Sequence, residues 1–171
     1  MTIQQKADAW IKCPNMTEEL LQELRSMDDA ERNDSFYRDL AFGTGGLRGI
    51  LGAGTNRMNL FTVIRATRGL GSYLKKQSEH PSCAVSCDSR IHSRDFAEIT
   101  AAALAEMGVR AYIYPTLEPT PMLSFAVRHL QASAGVMITA SHNPAAFNGY
   151  KVYGPDGCPK ICSTAACLPA S

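Results

Sequence analysis

Residues 134–144 read Ala134-Gly135-Val136-Met137-Ile138-Thr139-Ala140-Ser141-His142-Asn143-Pro144. A short apolar run passes into a turn centred on a serine. Asn143-Pro144 is a turn-forming pair, and Pro144 bars a continuing strand. Open α/β sheets carry their chemistry outside the carboxyl ends of the strands. This stretch therefore predicts a strand with the Ser141 hydroxyl at the rim of a sheet. The bland alternative is a turn serine bonded to its own backbone.

Working outward, the neighbouring segments alternate. Residues 83–87 predict a short strand. Residues 93–107 predict a helix, because Phe96, Ile99, Ala103, Leu104 and Met107 recur at helical spacing and Gly108 suits the C-terminal cap. Residues 109–114 form the next strand. Thr120-Pro121 predicts an N-cap with proline at the first helical position, opening a helix to Leu130. Residues 149–153 predict one more short strand, antiparallel to the rest. Strand–helix alternation implies right-handed crossovers. The fold class is therefore α/β: three-layer α/β/α with a mixed, mainly parallel sheet.

Toward the N-terminus, residues 17–27 predict an amphipathic helix capped by Thr17, with Leu20, Leu21, Leu24 and Met27 as its stripe. Residues 28–39 are highly charged and are expected to be exposed. Residues 60–76 form another helical candidate. Between them lies Gly43-Thr44-Gly45-Gly46-Leu47-Arg48-Gly49. Glycines so dense beside an arginine predict either backbone close to a ligand or a hairpin with special dihedrals. The pattern is neither a Walker loop nor a dinucleotide fingerprint. Residues 158–171 show no period and are expected to be irregular.

The chain has 171 residues, 45% hydrophobic content and a formal net charge of +1. This supports a full core and argues against a nucleic-acid surface, which needs clustered positive charge. No apolar run reaches the roughly 18–20 residues that would cross a membrane. The N-terminal residues lack the apolar core of a signal peptide, so a cytoplasmic location is expected. The six cysteines are expected to be free thiols. They form no Cys-x-x-Cys pair and no histidine pair follows, which argues against zinc.

Taken in order, Gly43-Thr44-Gly45-Gly46-Leu47-Arg48-Gly49, Cys87-Asp88-Ser89-Arg90, Pro119-Thr120-Pro121, Thr139-Ala140-Ser141-His142-Asn143-Pro144 and Asn148-Gly149-Tyr150-Lys151 resemble the motifs of the α-D-phosphohexomutases. The first is most similar to the phosphoglucomutase/phosphopentomutase branch. The resemblance covers residues 35–157 and implies the first of that family's four domains. On this reading residues 1–40 are an N-terminal helical extension and residues 41–157 are domain I. Residues 158–171 are an altered or truncated end. The metal-binding Asp-Gly-Asp-x-Asp-Arg loop of the second domain does not occur here, nor do the family's sugar-recognition and phosphate-binding loops.

The resemblance implies an intramolecular phosphotransferase that interconverts sugar 1-phosphate and sugar 6-phosphate, or pentose 1- and 5-phosphate. Ser141 would be the catalytic phosphoserine and would ligate Mg²⁺ through its phosphate. Glucose 1,6-bisphosphate would serve as activator. Lys151 is implied as general acid/base or phosphate contact, which requires its proton affinity to be lowered. His142 would bond substrate or phosphate, or instead be held by a backbone partner. Arg48, Thr44, Gly45, Arg90 and Asn143 are implied for phosphate binding, since an arginine fork suits phosphate oxygens. For Arg90, a loop-bracing role stays open. Neighbouring side chains of an extended segment diverge, so His142 is expected to lie away from Ser141, which disfavours a serine hydrolase. The implied partners are a sugar phosphate and the missing C-terminal domains. The isolated chain is expected to be inactive in turnover. The alternatives are a sugar-phosphate-binding or interaction module, or a fragment with no stable fold.

Overall fold

A computed structural model describes residues 1–43 and 46–160. The binding residues Thr44 and Gly45, and the end of the chain with Cys162 and Cys167, lie outside the described residues.

The chain opens with three helices, α1 (Ile3–Ile11), α2 (Glu18–Ser26) and α3 (Asp29–Phe36). Thr17 caps α2 as expected, its side chain accepting from the Leu20 amide. The charged segment after it is not simply an exposed loop. Asp28 and Glu31 form a reciprocal capping box that starts α3, and the helix delivers Phe36 into full burial. There Trp10 meets the Phe36 ring edge-on at 5.5 Å. The charges mark a helix face turned to solvent, and one aromatic residue anchors the other face. Ala7, Leu20, Leu24, Met27 and Phe36 pack together with Ala53, Leu60 and Phe61 from the segment that follows.

The glycine-rich stretch forms the hairpin of β1 (Phe42–Gly43) and β2 (Gly46–Ile50). Gly46 has φ +108°, and a Cβ there would lie 3.1 Å from the Lys151 Cα, so only glycine lets β2 come this close to the strand beside it. Next comes α4 (Leu60–Gln77), opened by an Asn59–Thr62 capping box. The alternation follows as β3 (Ser82–Cys87), α5 (Ser93–Glu106), β4 (Arg110–Ile113), α6 (Thr120–His129), β5 (Ala134–Ile138) and β6 (Phe147–Tyr153). Gly108 ends α5 at φ +79°. The Val109 amide donates to Leu104 O and the Gly108 amide to Ala105 O, the Schellman pattern that glycine makes accessible. α6 begins at Thr120, the residue predicted as its cap, so the helix starts one residue earlier than expected. Pro119 is its N-cap, without a side-chain cap bond.

The strand order is β1-β2-β6-β5-β3-β4. β3 runs parallel to both β4 and β5, whereas β6 is antiparallel to β5 and to β2. Four strands (β2, β3, β4 and β5) therefore share one direction, and the sheet is mixed. Its two faces separate by the strand period of two. Cys83, Val85, Cys87, Val136, Ile138 and Tyr150 point to the α4 and α5 side. Ala84, Met137 and Tyr153 point to the α6 side with Leu123, Ala126 and Val127. These are the three layers expected. Residues 158–160 form no helix or strand, yet they are held in place. The Lys160 amide donates to Val152 O and the Gly154 amide to Cys158 O, folding this segment back along β6. Among the described residues no helix is long and apolar enough to cross a membrane.

Gly149 lies between β2 and the exit of β5. A Cβ there would meet Thr139 O at 2.7 Å and Leu47 O at 2.8 Å, both backbone atoms that cannot rotate away. Gly149→Ala is expected to destabilise the chain by about 1–3 kcal/mol through overpacking. Urea unfolding measures this, and an unchanged midpoint would mean that the two strands part without strain.

Candidate functional site

Three segments reach one edge of the sheet. β3 ends at Cys87 and leads into Asp88-Ser89-Arg90. β5 ends at Ile138 and leads into the serine turn. β6 begins beside that turn and carries Lys151. Because β3 and β5 are parallel, their carboxyl ends lie together, the usual place for chemistry in such sheets.

Ser141 is exposed and has φ 57°, a left-handed conformation that costs a non-glycine residue roughly 1–2 kcal/mol. Its amide donates to Thr139 Oγ1 at 2.9 Å. Thr139 went unremarked in the sequence, although a Thr-x-Ser side-chain turn is a local signal. The left-handed turn also overturns one expectation. His142 does not point away from Ser141: its Nδ1 lies 3.5 Å from Ser141 Oγ, because φ 57° breaks the extended alternation. The contact is long for a hydrogen bond. Among the described residues, no carboxylate bonds His142 to orient it as the base of a hydrolytic triad.

Arg48 stands on β2 opposite Gly149 of β6, so it shares a sheet face with Lys151, two residues along. Its Nη1 donates to Asn143 Oδ1 at 2.9 Å, which ties the glycine hairpin to the serine turn. Lys151 pairs with Met137 of β5 on the α6 side of the sheet. Its ammonium is held below the ordinary lysine value, first by partial burial and then by the Arg48 charge, with Asp88 opposing. The turn is thus flanked by two cations, one of them with its proton loosened.

The structure places Arg90 under the turn rather than at its surface. Nη1 donates to Pro144 O at 2.9 Å and Phe147 O at 3.0 Å. Nη2 donates to Ser141 O at 2.7 Å and Asn143 O at 2.6 Å. Nε faces Asp88 Oδ2 at 3.5 Å. Asp88 Oδ1 accepts from the Arg90 amide and from Ser93 Oγ. Fully buried Asn148 donates to Ile91 O and Ser93 Oγ. This network joins residues far apart in sequence, and no local pattern in the chain announces it.

The arrangement offers an exposed hydroxyl beside cationic donors, which suits an anionic group such as a phosphate. It offers no metal cage. Among the described residues no group of three His, Cys, Asp or Glu side chains could hold an ion. A separate apolar groove of about 250 Å³ lies between α6 and the edge strand β4, lined by Tyr112, Tyr114, Phe125 and Leu130 among others. It is remote in character from this chemistry.

Removing Arg48 removes a charge that depresses Lys151. Arg48→Ala is therefore expected to raise the Lys151 pKa toward the ordinary value, read by NMR titration of labelled lysine. The neutral fraction of Lys151 at a given alkaline pH falls accordingly. A downward shift would show that opening the site to water does not govern this lysine and that Arg48 does not repel it.

Comparisons with known proteins fit this geometry. The family described as phosphoglucomutase/phosphomannomutase, alpha/beta/alpha domain I, matches residues 39–166. A phosphoglucomutase of Staphylococcus haemolyticus is 47% identical over 126 residues, covering 74% of this chain and 23% of that protein. One of Staphylococcus aureus strain RF122 is 47% identical over 127 residues, with the same shares. The chain thus spans about a quarter of the length of these curated relatives. A crystal structure from Thermus thermophilus, assigned as a phosphomannomutase, is 34% identical with a TM-score of 0.71, covering 77% of this chain and 29% of that one.

Proposed function

The chain belongs to the phosphoglucomutase/phosphomannomutase family, and from that premise we propose that Ser141 is the phosphoryl carrier of a sugar-phosphate mutase. The observation that carries the reading is the exposed serine hydroxyl in a left-handed turn at the carboxyl end of β5, with Arg48 bonded to the same turn. We read residues 41–157 as the family's domain I and residues 1–40 as a helical extension packed on it.

In the proposed reaction, Ser141 Oγ attacks a phosphorus of a sugar bisphosphate. The Oγ–P bond forms and the bond from phosphorus to the sugar oxygen breaks. The serine proton passes to the departing sugar oxygen. Charge spread over the equatorial phosphoryl oxygens is what the site must neutralise. Arg48 presents a fixed fork of donors to it. His142 Nδ1, at 3.5 Å from Oγ, contacts the phosphoryl group or the serine proton. Lys151, with its proton loosened, is placed to exchange a proton with a sugar hydroxyl.

The family reading implies Mg²⁺, but the residues of this chain do not by themselves fit it. A hard cation needs several oxygen ligands, and the described residues supply no cluster of acids. Phosphoryl oxygens on Ser141 are this chain's contribution to such a site, and acidic side chains beyond this chain would complete it. The proposed substrates are hexose 1- and 6-phosphates or pentose 1- and 5-phosphates, with glucose 1,6-bisphosphate as the activating donor. Full turnover also calls for the sugar-recognition loop, so this chain is expected to accept a phosphoryl group without interconverting sugars.

The test is intact mass of the chain before and after incubation with glucose 1,6-bisphosphate and Mg²⁺. One phosphate gained at Ser141 supports the reading. A second reading, a sugar-phosphate-binding module without transfer, is favoured by the lack of a metal cluster among the described residues. It predicts binding of the bisphosphate with no gain in mass.

A further inference from the structure

We propose that Arg90 is a positioning residue: its guanidinium is the hub on which the 141–147 turn is built, and it sets the place and direction of the Ser141 hydroxyl without touching the phosphoryl group. The proposal rests on the reading of Ser141 as the phosphoryl carrier.

An arginine carries five N–H donors. In Arg90 four directions end on the carbonyls of Ser141, Asn143, Pro144 and Phe147, and the fifth faces Asp88. None is left for a phosphate. The side chain is only 16% exposed, as a residue beneath a loop must be. Four carbonyl dipoles that converge on one point repel one another unless a cation sits there. Arg90 supplies that cation and a planar fork that fixes the angles between the four. The hub itself is fixed from below. Asp88 holds the Arg90 amide and faces its Nε, and Ser93 Oγ in turn donates to Asp88 and accepts from Asn148. The chain from α5 through Asp88 to Arg90 therefore transmits the position of the β3 terminus to the β5 turn. Transfer to a serine held in an uncommon backbone conformation depends on such support, because small misplacement of a reacting atom is costly in rate.

The closest alternative is that Arg90 binds phosphate directly. The two roles separate on kinetics. Arg90→Lys and Arg90→Met are made in the chain, and phosphoryl uptake from glucose 1,6-bisphosphate is followed by mass against donor concentration. The hub predicts that both lower the maximal rate by about 100-fold while the half-saturating concentration stays unchanged. Lysine does not rescue, because a point charge cannot span four carbonyls. A raised half-saturating concentration with an intact maximal rate, or rescue by lysine, overturns the proposal.

Amide hydrogen exchange supplies an arm independent of transfer. The Asn143 and Phe147 amides donate to Ala140 O and Pro144 O within the turn. Both variants are expected to expose these amides to faster exchange while β3 and β5 keep their protection. Unchanged exchange in the turn, or uniform loss of protection across the sheet, overturns the hub. If the unmodified chain takes up no phosphate, the carrier reading of Ser141 fails, and the exchange result decides the hub alone.

Discussion

Ser141→Ala is expected to take up no phosphate from glucose 1,6-bisphosphate under conditions where the parent chain gains one, and to do so without losing stability. The chemical half follows from removal of the only atom at that position able to form the new bond to phosphorus. The stability half follows from the backbone. Ser141 sits at φ 57°, and alanine occupies the same region at a similar cost of roughly 1–2 kcal/mol. The Thr139 bond is made by the Ser141 amide and survives the change. Ser141→Gly goes further. It relieves the left-handed penalty while making the unfolded chain looser by about 0.4–1 kcal/mol, so it is expected to unfold at or slightly above the parent's urea midpoint and still to accept no phosphate. Phosphate gained by either variant at another residue would remove Ser141 from the proposed mechanism.

Tyr150→Ala is expected to be the most damaging single truncation, lowering stability by about 3–5 kcal/mol. Tyr150 is fully buried and has the largest of the wholly buried side chains among the described residues. Its ring meets Phe42 of β1 edge-on at 6.3 Å, and its hydroxyl accepts from Thr67 Oγ1 of α4 at 3.1 Å. It therefore bonds sheet to helix at the strand that carries Lys151. Domains of this kind are stable by only roughly 5–15 kcal/mol, so the loss is a large fraction of the whole. Tyr150→Phe keeps the ring and loses one hydrogen bond, an effect of about 0.5–1.5 kcal/mol. The Thr67 hydroxyl can turn to a carbonyl of its own helix, which favours the low end.

A pH signature accompanies the Tyr150 prediction. Burial holds the phenol above its ordinary value of 10.0, so the unfolded state releases its proton first as pH rises. The stability linked to this group is complete below pH 10 and falls above it. Tyr150→Phe is expected to remove that share of the alkaline slope in urea unfolding. An unchanged slope would show that the phenol reaches water in the folded chain. Cys83, pushed up to about 12 by complete burial, adds a slope of the same sign.

The local rules were enough wherever a signal was contained in a few residues. The helical stripe of residues 93–107 with Gly108, the Thr17 cap and the apolar run before Ser141 each led to the element found. The charged segment of residues 28–39 is exposed at most of its positions, as expected, but its polar composition conceals the helix and the one buried aromatic that decides its inner face. His142 departs from expectation for a backbone reason. The rule that adjacent side chains diverge holds for extended backbone, and Ser141 leaves that region.

What the sequence determined by itself is the helix at residues 17–27, the helix after residue 60, the strand–helix alternation from residue 83 onward, the three layers and the residue that offers a hydroxyl at the sheet edge, because periodicity, caps and turn pairs act over at most a few residues. Tertiary structure alone decided the roles around that hydroxyl. Arg90 lies 51 positions from Ser141 and Arg48 lies 95 from Asn143. Whether an arginine points up toward an anion or down into a cluster of carbonyls depends on which strands the sheet brings together, and that pairing is fixed by packing over the whole chain.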